Sequence, residues 1–261
     1  MRLLIIADAM LASHVSRVRV RLDLVLVERG LAPTRTRAAS LILAGVVRVN
    51  GEVADKAGRA VVPDAKIEVV APDHPWVSRG GVKLAAALAA FGVAATGKRC
   101  LDVGASTGGF TDVLLERGAA QVVALDVGRG QLDWRLRQDP RVVVIEGVNA
   151  RHLAPRDLTG PFDLITVDVS FISLRLVLPA LLGFLAADGD LVALVKPQFE
   201  AGRGEVGKGG VVRDAAVREH AITAVLAAAH ELGLACVARI SSPLAGPAGN
   251  VEELAHLRRR P

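Results

Sequence analysis

The feature that most constrains this chain is a short apolar run that stops at a glycine-rich turn and continues into a helical pattern. Cys100 to Val103 form the run, and glycines follow at positions 104, 108 and 109. Glycine lets the backbone approach a ligand where any Cβ atom would collide. A second apolar run, 122–125, ends on Asp126, whose carboxylate can accept both hydroxyls of a ribose. The pattern predicts a strand, a turn and a helix that bind a nucleoside cofactor.

The spacing of the glycines separates two classes of cofactor. Dinucleotide enzymes favour Gly-x-Gly-x-x-Gly, whereas this chain has Gly-Ala-Ser-Thr-Gly-Gly at 104–109, which favours S-adenosylmethionine over NAD. A glycine-rich turn without a ligand is the alternative. We predict that Gly104, Ser106, Gly108 and Gly109 approach the methionine part of the cofactor, that Asp126 binds its ribose, and that Asp102 orders the turn.

Apolar strands and amphipathic helices alternate from residue 99 onward, which is typical of a doubly wound parallel sheet. Further strands are predicted at 142–145, 163–167, 190–195 and 234–240, and helices at 83–91, 174–185 and 215–232. Ligands of such α/β sheets bind at the carboxyl ends of the strands. Asp168 and Lys196 each follow a strand at that edge, so we expect them to face the ligand.

Composition limits the classes of protein that this chain can belong to. The 261 residues are 51% hydrophobic, enough for a core in one or two domains. The net charge of +5 indicates either a polyanionic partner or a solubilising surface. Aromatic residues make up only 3%, which favours phosphate and shape contacts over base stacking. No segment reaches the roughly 18 uninterrupted apolar residues of a membrane span.

The two cysteines and six histidines are scattered along the chain. Cys100 and Cys236 lie in separate apolar stretches, so we expect both to be buried and reduced in a cytoplasmic protein. No metal site is predicted, because no spacing of these residues matches a ligand set.

Residues 21–50 predict two helices followed by a strand and a hairpin turn. Leu22, Val25 and Leu26 share one helical face, and Thr34 can cap the second helix, in which Ala38, Leu41 and Ile42 face inward. Asn50-Gly51 is a strong hairpin signal. This order resembles the S4 RNA-binding domain over residues 20 to 68. The resemblance implies phosphate contacts by Arg35, Arg37, Arg48 and Lys56.

The segments around this region complete the predicted domain organisation. Residues 1–19 are expected to be a flexible extension, with translation starting near Met10 or later. Residues 20–70 form the S4-like domain, 71–82 a linker rich in proline and glycine, and 83–261 the catalytic domain. Trp76 is expected to pack against one domain.

Five motifs in order resemble the TlyA family, which joins an S4 domain to an FtsJ-like methyltransferase domain. They are Ser-Arg-Gly-Gly-Val-Lys (78–83), Asp-Val-Gly-Ala-Ser-Thr-Gly-Gly-Phe-Thr (102–111), Asp-Val-Ser-Phe-Ile-Ser (168–173), Lys-Pro-Gln-Phe-Glu (196–200) and Gly-Asn-Val-Glu (249–252). The resemblance implies a doubly wound, Rossmann-like methyltransferase domain (fold class α/β) that follows a small α+β S4 domain. The implied activity is S-adenosylmethionine-dependent methylation of a ribose 2′-hydroxyl, of cytidine, in ribosomal RNA or assembled ribosomal subunits.

The family's catalytic set of lysine, aspartate, lysine and glutamate falls on Lys83, Asp168, Lys196 and Glu252. Glu253 adjoins the last position, so either glutamate can be the active carboxylate. A ribose hydroxyl is a poor nucleophile that must be oriented and deprotonated. Burial and a second cation favour a neutral amine, so a lysine can act as the base or hold the developing alkoxide. We predict that Lys196 is this group and that Asp168 orients it.

Three basic residues outside the S4-like region are further candidates for RNA contact. They are Arg79, Arg203 and Lys208, and the last two lie in a glycine-rich segment, 200–210, expected to be mobile. Two other functions stay open: an S4-containing RNA-binding factor without catalytic activity, and a membrane-active haemolysin, a label that family members have carried.

Overall fold

The structure is a computed structural model that describes residues 19–70, 74–202, 204–246 and 248–260. The chain divides into two compact units, and the division falls between residues 71 and 72. The expected N-terminal extension lies outside the described residues, except for Arg19.

The smaller unit contains two helices and five short strands. Its elements are β1 (Val20–Arg21), α1 (Leu22–Glu28), α2 (Arg35–Leu43), β2 (Val47–Val49), β3 (Glu52–Val53), β4 (Ala60–Val61) and β5 (Ile67–Val69). Strands β1 and β4 pair antiparallel, and β2 lies between β3 and β5 in an antiparallel sheet. This is the predicted order of helix, helix, strand and hairpin.

Local signals in the sequence explain how the smaller unit is formed. The Thr34 side chain accepts a hydrogen bond from the backbone N–H of Arg37 and so caps α2, as predicted. Asn50 and Gly51 both have positive φ angles, 53° and 86°, which fit the turn between β2 and β3. Leu22 and Ile42 are fully buried, which confirms the predicted inner faces of both helices.

The larger unit alternates helices and strands around one sheet. Its elements are α3 (Gly80–Phe91), β6 (Arg99–Val103), α4 (Gly109–Glu116), β7 (Gln121–Asp126), α5 (Trp134–Gln138), β8 (Val142–Glu146), β9 (Phe162–Val167), α6 (Leu174–Leu181), β10 (Leu185–Val195), α7 (Pro197–Glu200), α8 (Ala215–Glu231), β11 (Leu234–Ser241) and β12 (Glu253–Arg259). Two short 3₁₀ turns, Ala150–His152 and Leu182–Phe184, complete it.

The seven strands have the order β11-β12-β10-β9-β6-β7-β8, and the five from β10 to β8 are parallel. The doubly wound α/β architecture is as predicted. Strand β12 was missed, and it lies antiparallel between β10 and β11. Its sequence, Glu-Leu-Ala-His-Leu-Arg-Arg, carries four charged or titratable residues, which hid the strand.

Successive residues of the central strands point to opposite faces, and each face has its own apolar core. Leu101 and Ile165 pack on the side of α6 and α8, whereas Cys100, Leu164 and Val192 pack on the side of α3 and α4. The parallel strands are therefore buried on both faces, which is why they read as continuous apolar runs.

Two details of the larger unit differ from the sequence-based expectations. Helix α3 begins at Gly80, three residues before the expected start at Lys83, because Gly81 packs directly under Trp76, where a Cβ would lie 2.5 Å from the ring. Cys236 is exposed rather than buried, because it lies at a bulge in β11, the edge strand of the sheet. Cys100 is buried as expected.

Candidate active site

A lysine and an aspartate meet at the carboxyl ends of two adjacent parallel strands. Lys196 follows β10 and Asp168 follows β9, and Lys196 Nζ lies 2.6 Å from Asp168 Oδ1. Lys196 Nζ also donates a hydrogen bond to Ser170 Oγ over 2.8 Å. The side chains of Lys196 and Asp168 remain 11% and 22% exposed, so this first pair borders the surface. A partly desolvated pair of this kind can exchange a proton with a substrate hydroxyl.

A second pair joins α3 to the residue before β12. Lys83 Nζ donates to Glu252 Oε2 over 2.5 Å, and both residues are buried. Val195 pairs with Glu253 in the antiparallel register, so the next position sets Lys196 opposite Glu252. Glu253 itself forms an ion pair with Arg239. The geometry therefore brings Glu252, and not Glu253, into contact with Lys83.

Gln198 links the chain segment that carries Lys196 to the Lys83–Glu252 pair. Sequence reasoning missed this residue. It lies two residues after Lys196 in α7, and its Nε2 donates to Glu252 Oε1 over 3.2 Å. Ser170 was also missed. Gln198 lies two positions after Lys196, and Ser170 lies two positions after Asp168, each inside one of the five motifs. That spacing was the sequence signal from which the two residues could have been found.

The loops that carry Asp168 and Lys196 are held together by two further contacts. The Phe171 and Phe199 rings lie 5.2 Å apart, and buried Glu200 accepts hydrogen bonds from Ser173 Oγ (2.5 Å) and the backbone N–H of Leu174 (2.7 Å). Burial raises the pKa of Glu200, and these donors oppose the shift. These contacts fix the two loops relative to each other, and this keeps the Lys196–Asp168 pair aligned.

Phe171 differs from the rest of the aromatic residues at this site. It is 88% exposed and has a φ angle of 65°, a left-handed conformation that is uncommon for a bulky residue. An exposed ring three residues from Asp168 offers a surface on which a nucleobase can stack.

The glycine turn lies beside the first pair. In the register of β6 and β9 the backbone N–H of Asp168 donates to the carbonyl of Val103, and Gly104 is the next residue. Gly104 has a φ angle of 85°, and a Cβ there would lie 2.9 Å from the carbonyl carbon of Asp168. The turn and Asp168 are thus in direct backbone contact.

The other two glycines are required by contacts within the protein, which the sequence-based argument did not include. A Cβ on Gly108 would lie 2.8 Å from Leu132 Cδ1, and one on Gly109 would lie 2.9 Å from the backbone nitrogen of Gly81. The space that glycine leaves open is therefore filled by the protein itself. These two glycines are required because α3, α4 and the segment before α5 pack closely around the turn.

Asp102 lies at the end of β6, just before the turn, and does not present its carboxylate to the surface. It is fully buried and accepts hydrogen bonds from the hydroxyls of Thr111 (2.7 Å) and Thr166 (3.1 Å). Burial raises the pKa of Asp102 to about 7, although both hydroxyls oppose the shift. Asp102 thereby links β6, β9 and α4.

The raised pKa of Asp102 predicts that folding stability decreases as the pH rises. Stability from this group is fully present below the ordinary aspartate pKa and is lost as the pH rises through about 7. The loss amounts to at most about 4 kcal/mol. Asp102→Asn is expected to flatten this dependence, measured by urea unfolding between pH 5 and pH 8.

Asp139→Asn is the matched control, because its hydrogen bonds with Arg141 lower the pKa of Asp139. Its contribution to stability is present above the ordinary aspartate pKa and is lost only as the pH falls below it, so this variant keeps the wild-type slope between pH 5 and pH 8. An equal slope in the wild type and Asp102→Asn would contradict the assignment.

Asp126 ends β7 next to the same turn. Its Oδ2 accepts the backbone N–H of Ser106 over 2.8 Å and its Oδ1 accepts that of Gly128 over 2.6 Å. Ser106 has a φ angle of 48°, and its hydroxyl donates to Gln131. The carboxylate is held in place and partly exposed, and each oxygen keeps a lone pair for a further donor. This arrangement fits a ligand with a ribose diol.

The predicted RNA contacts of the smaller unit lie on its surface. Arg35 pairs with buried Asp23, as Arg21 does, and these guanidinium groups lower the pKa of Asp23 to about 2. Arg37 and Lys56 are exposed, and the guanidinium of exposed Arg48 donates to the carbonyl of Gly51. Arg35 is therefore held by a carboxylate, although its side chain stays 58% exposed.

The three predicted contacts in the larger unit have different outcomes. Arg79 is half-buried at the N-terminus of α3, Lys208 is exposed, and Arg203 lies outside the described residues. The glycine-rich segment is less free than expected. The buried Asn250 donates to the carbonyl of Gly210 and accepts the backbone N–H of Val212.

Both units are similar to known protein families. An S4 domain family matches residues 20–67, and an FtsJ-like methyltransferase family matches residues 76–259. The chain is 56% identical to the 16S/23S rRNA (cytidine-2′-O)-methyltransferase TlyA of Mycobacterium tuberculosis, over 92% of this chain and 90% of that protein. It is 42% identical to Hemolysin A of Brachyspira hyodysenteriae, over 91% of this chain and 99% of that protein.

A solved structure from Streptococcus thermophilus is also similar, with 43% identity and a TM-score of 0.72, covering 94% of this chain and 90% of that chain. Within the described part of the chain, none of the helices is long and apolar enough to cross a membrane.

Proposed function

This chain belongs to the TlyA family of FtsJ-like methyltransferases that carry an S4 domain, and on that premise we propose that it methylates the ribose 2′-hydroxyl of a cytidine in ribosomal RNA. The methyl donor in this proposal is S-adenosylmethionine. The observation that carries it is the Lys196–Asp168 pair, which lies directly beside the glycine turn at Gly104. Methyl transfer to a hydroxyl requires a proton acceptor close to the bound cofactor, and this contact would bring the two together.

The first chemical requirement is to remove a proton from the ribose hydroxyl. Lys196 Nζ in its neutral form accepts that proton, and Asp168, 2.6 Å away, stabilises the ammonium that results. If Lys196 is already protonated, the same geometry holds the developing alkoxide instead. Ser170 and Asp168 fix the orientation of Nζ in both cases. S-adenosylmethionine supplies, when bound, an electrophilic methyl group on a sulfonium.

Lys83 and Glu252 orient the ribose in this proposal. Glu252 compensates the charge of the buried Lys83 and fixes its Nζ, which has further N–H groups to donate to oxygens of the nucleotide. The two pairs thus have different roles. Lys196 and Asp168 accept and stabilise the proton, and Lys83 and Glu252 hold the ribose hydroxyl in line with the methyl group.

The cofactor would lie along the turn from Gly104 to Gly109, with its ribose on Asp126. The rigid carboxylate of Asp126 and the exposed apolar side chain of the next residue, Val127, fit an adenosine group. Because the turn touches the backbone of Asp168, this placement brings the cofactor next to the proposed base.

Asp126→Ala is expected to weaken binding of S-adenosylmethionine about 10- to 100-fold, because hydrogen bonds to a charged carboxylate contribute about 1.5–3 kcal/mol. Isothermal titration calorimetry measures this directly. Asp126→Asn keeps an acceptor for only one of the two backbone N–H groups, so urea unfolding of both variants is measured as well, to separate loss of the ribose contact from disorder of the turn. Asp139→Ala, which removes a carboxylate paired with Arg141, is the control and should keep wild-type affinity. Unchanged affinity in both Asp126 variants would exclude this placement.

The RNA substrate follows from the S4 domain and the positive charge of the chain. Lysines and arginines of the smaller unit are proposed to bind phosphates and direct the catalytic domain to its target. Since ribosomal subunits are the substrate, we place the reaction in the cytoplasm.

Transfer of a radiolabelled methyl group to isolated small and large ribosomal subunits lacking the modification tests the function. Label on ribose that is absent with Lys196→Met would support the proposal and identify the subunit. Absence of label on both subunits and on naked ribosomal RNA would instead favour an RNA-binding factor without catalytic activity.

A further inference from the structure

Glu252 is the more enclosed carboxylate of the two lysine–carboxylate pairs. It is 2% exposed, and its two oxygens have different neighbours. Oε2 accepts from Lys83 Nζ, whereas Oε1 faces Gln198 Nε2 on one side and the backbone of Gly246 on the other, where a Cβ would lie 2.5 Å away. A buried carboxylate needs donors on both oxygens to keep one orientation. Gln198 supplies the donor for Oε1.

The orientation of the Gln198 amide follows from its partner. A carboxylate accepts hydrogen bonds, so the NH₂ half of the amide must face Glu252 and the carbonyl half must face away. That carbonyl oxygen, Oε1, is buried and has no hydrogen-bond partner among the described residues. A buried acceptor without a donor opposes folding. Gln198 is therefore poorly explained by stability alone.

The position of Gln198 in the chain gives the amide a specific effect. Pro197 begins α7 immediately after Lys196, so the backbone between Lys196 and Gln198 is short and restricted. Val195 pairs with Glu253 at the end of the register of β10 and β12, so Lys196 and Glu252 are the next residues beyond this pair. A hydrogen bond from Gln198 to Glu252 thus limits the distance between Lys83 and Lys196. Lys196 is linked to Gln198 through Pro197, and Lys83 is linked to Gln198 through Glu252.

We propose that Gln198 is a positioning residue that couples the Lys83–Glu252 pair to the Lys196–Asp168 pair. It acts by holding Glu252 Oε1, so that Lys83 keeps its place relative to Lys196 when the nucleotide binds. This role rests on the methyl transfer proposed above and adds a residue to it. Gln198 takes no part in cofactor binding or in proton transfer.

Two substitutions separate positioning from a structural role. Gln198→Met keeps the length of the side chain and removes both polar ends, so it removes the unpaired carbonyl together with the donor. The expected result is a rate of methyl transfer about 10- to 100-fold lower under single-turnover conditions. The affinity for S-adenosylmethionine should stay within about twofold, and the thermal midpoint within about 3 °C.

Gln198→Glu supplies a readout that a structural role would not change. Its carboxylate repels Glu252 when ionised, but its protonated form donates a hydrogen bond as the amide does. The charged groups around it are Glu252, Lys83 and the Lys196–Asp168 pair. The rate of Gln198→Glu relative to the wild type should therefore rise at least about fivefold from pH 8 to pH 6, while that of Gln198→Met stays constant.

Gln138→Met, an exposed glutamine at the end of α5, is the matched control and should keep the wild-type rate. Wild-type rates in both Gln198 variants would overturn the proposal. Loss of rate together with loss of cofactor affinity and thermal stability would also overturn it, in favour of a structural role. If the wild type itself transfers no methyl group, the proposed function fails, and that result is distinct from either outcome for Gln198.

Discussion

Lys196→Met is expected to lower the rate of methyl transfer by about 10³-fold or more while leaving the binding of S-adenosylmethionine and RNA within about twofold. Methionine keeps the length and apolar stem of lysine but has no group that can accept or donate the proton. General base catalysis and alkoxide stabilisation each contribute about 10²- to 10⁴-fold to such reactions. Single-turnover transfer to ribosomal subunits measures the rate, and calorimetry measures the affinity for the cofactor.

The chain offers a matched control for this prediction at the opposite edge of the sheet. Lys98 Nζ lies 2.8 Å from Asp190 Oδ2, so it is also a half-buried lysine paired with an aspartate. Lys98→Met should lower stability and leave the rate unchanged at temperatures well below unfolding. If both variants lose activity equally, removal of a buried ion pair explains the loss and Lys196 has no special role. Wild-type turnover in Lys196→Met would refute its catalytic assignment.

Gly104→Ala is expected to cost about 3 kcal/mol or more of folding stability and to abolish methyl transfer. Two effects add at this position. The φ angle of 85° disfavours any residue with a Cβ, by about 1–2 kcal/mol. The added carbon would also lie 2.9 Å from the carbonyl carbon of Asp168 and closer still to its oxygen, so β6 or β9 must shift. That shift moves the proposed catalytic aspartate.

Gly92→Ala isolates the first of these effects. Gly92 has a φ angle of 66° at the end of α3, and a Cβ there would meet nothing within 4 Å. This variant should lose about 1 kcal/mol and keep full activity. Chemical unfolding and the methyl transfer assay on both variants check the prediction. Equal costs at the two positions would show that Asp168 does not constrain the turn.

Several parts of the site could be predicted because each depends on local sequence. An apolar run followed by a charged residue identifies the end of a buried strand, and parallel strands end at one edge of the sheet. Asp168, Lys196 and Asp126 could thus be placed at that edge. The cap at Thr34 and the turn at Asn50 were predictable for the same reason, since both act within a few residues.

Other parts could not be predicted because they depend on contacts between distant segments. Glycines 80 and 81 indicated a linker, yet both lie in α3, where Gly81 packs under Trp76. The spacing of glycines 108 and 109 also gave no sign of the contacts with α3, α5 and the segment before α5 that leave no room for a Cβ. The sequence of β12 has too many polar residues for a buried strand, but its neighbours on both sides protect it.

The sequence by itself determined the order of the two domains, the alternation of strands and helices, and the residues that can carry the chemistry. The sequence also predicted that Asp168 orients Lys196, and the two side chains do meet. The tertiary structure alone decided that Lys83 pairs with Glu252 rather than Glu253 and that Gln198 contacts Glu252. The physical reason is the distance along the chain over which each effect acts. Periodicity and capping act over a few residues of chain, whereas Lys83 and Glu252 are 169 positions apart and meet only when β12 pairs with β10.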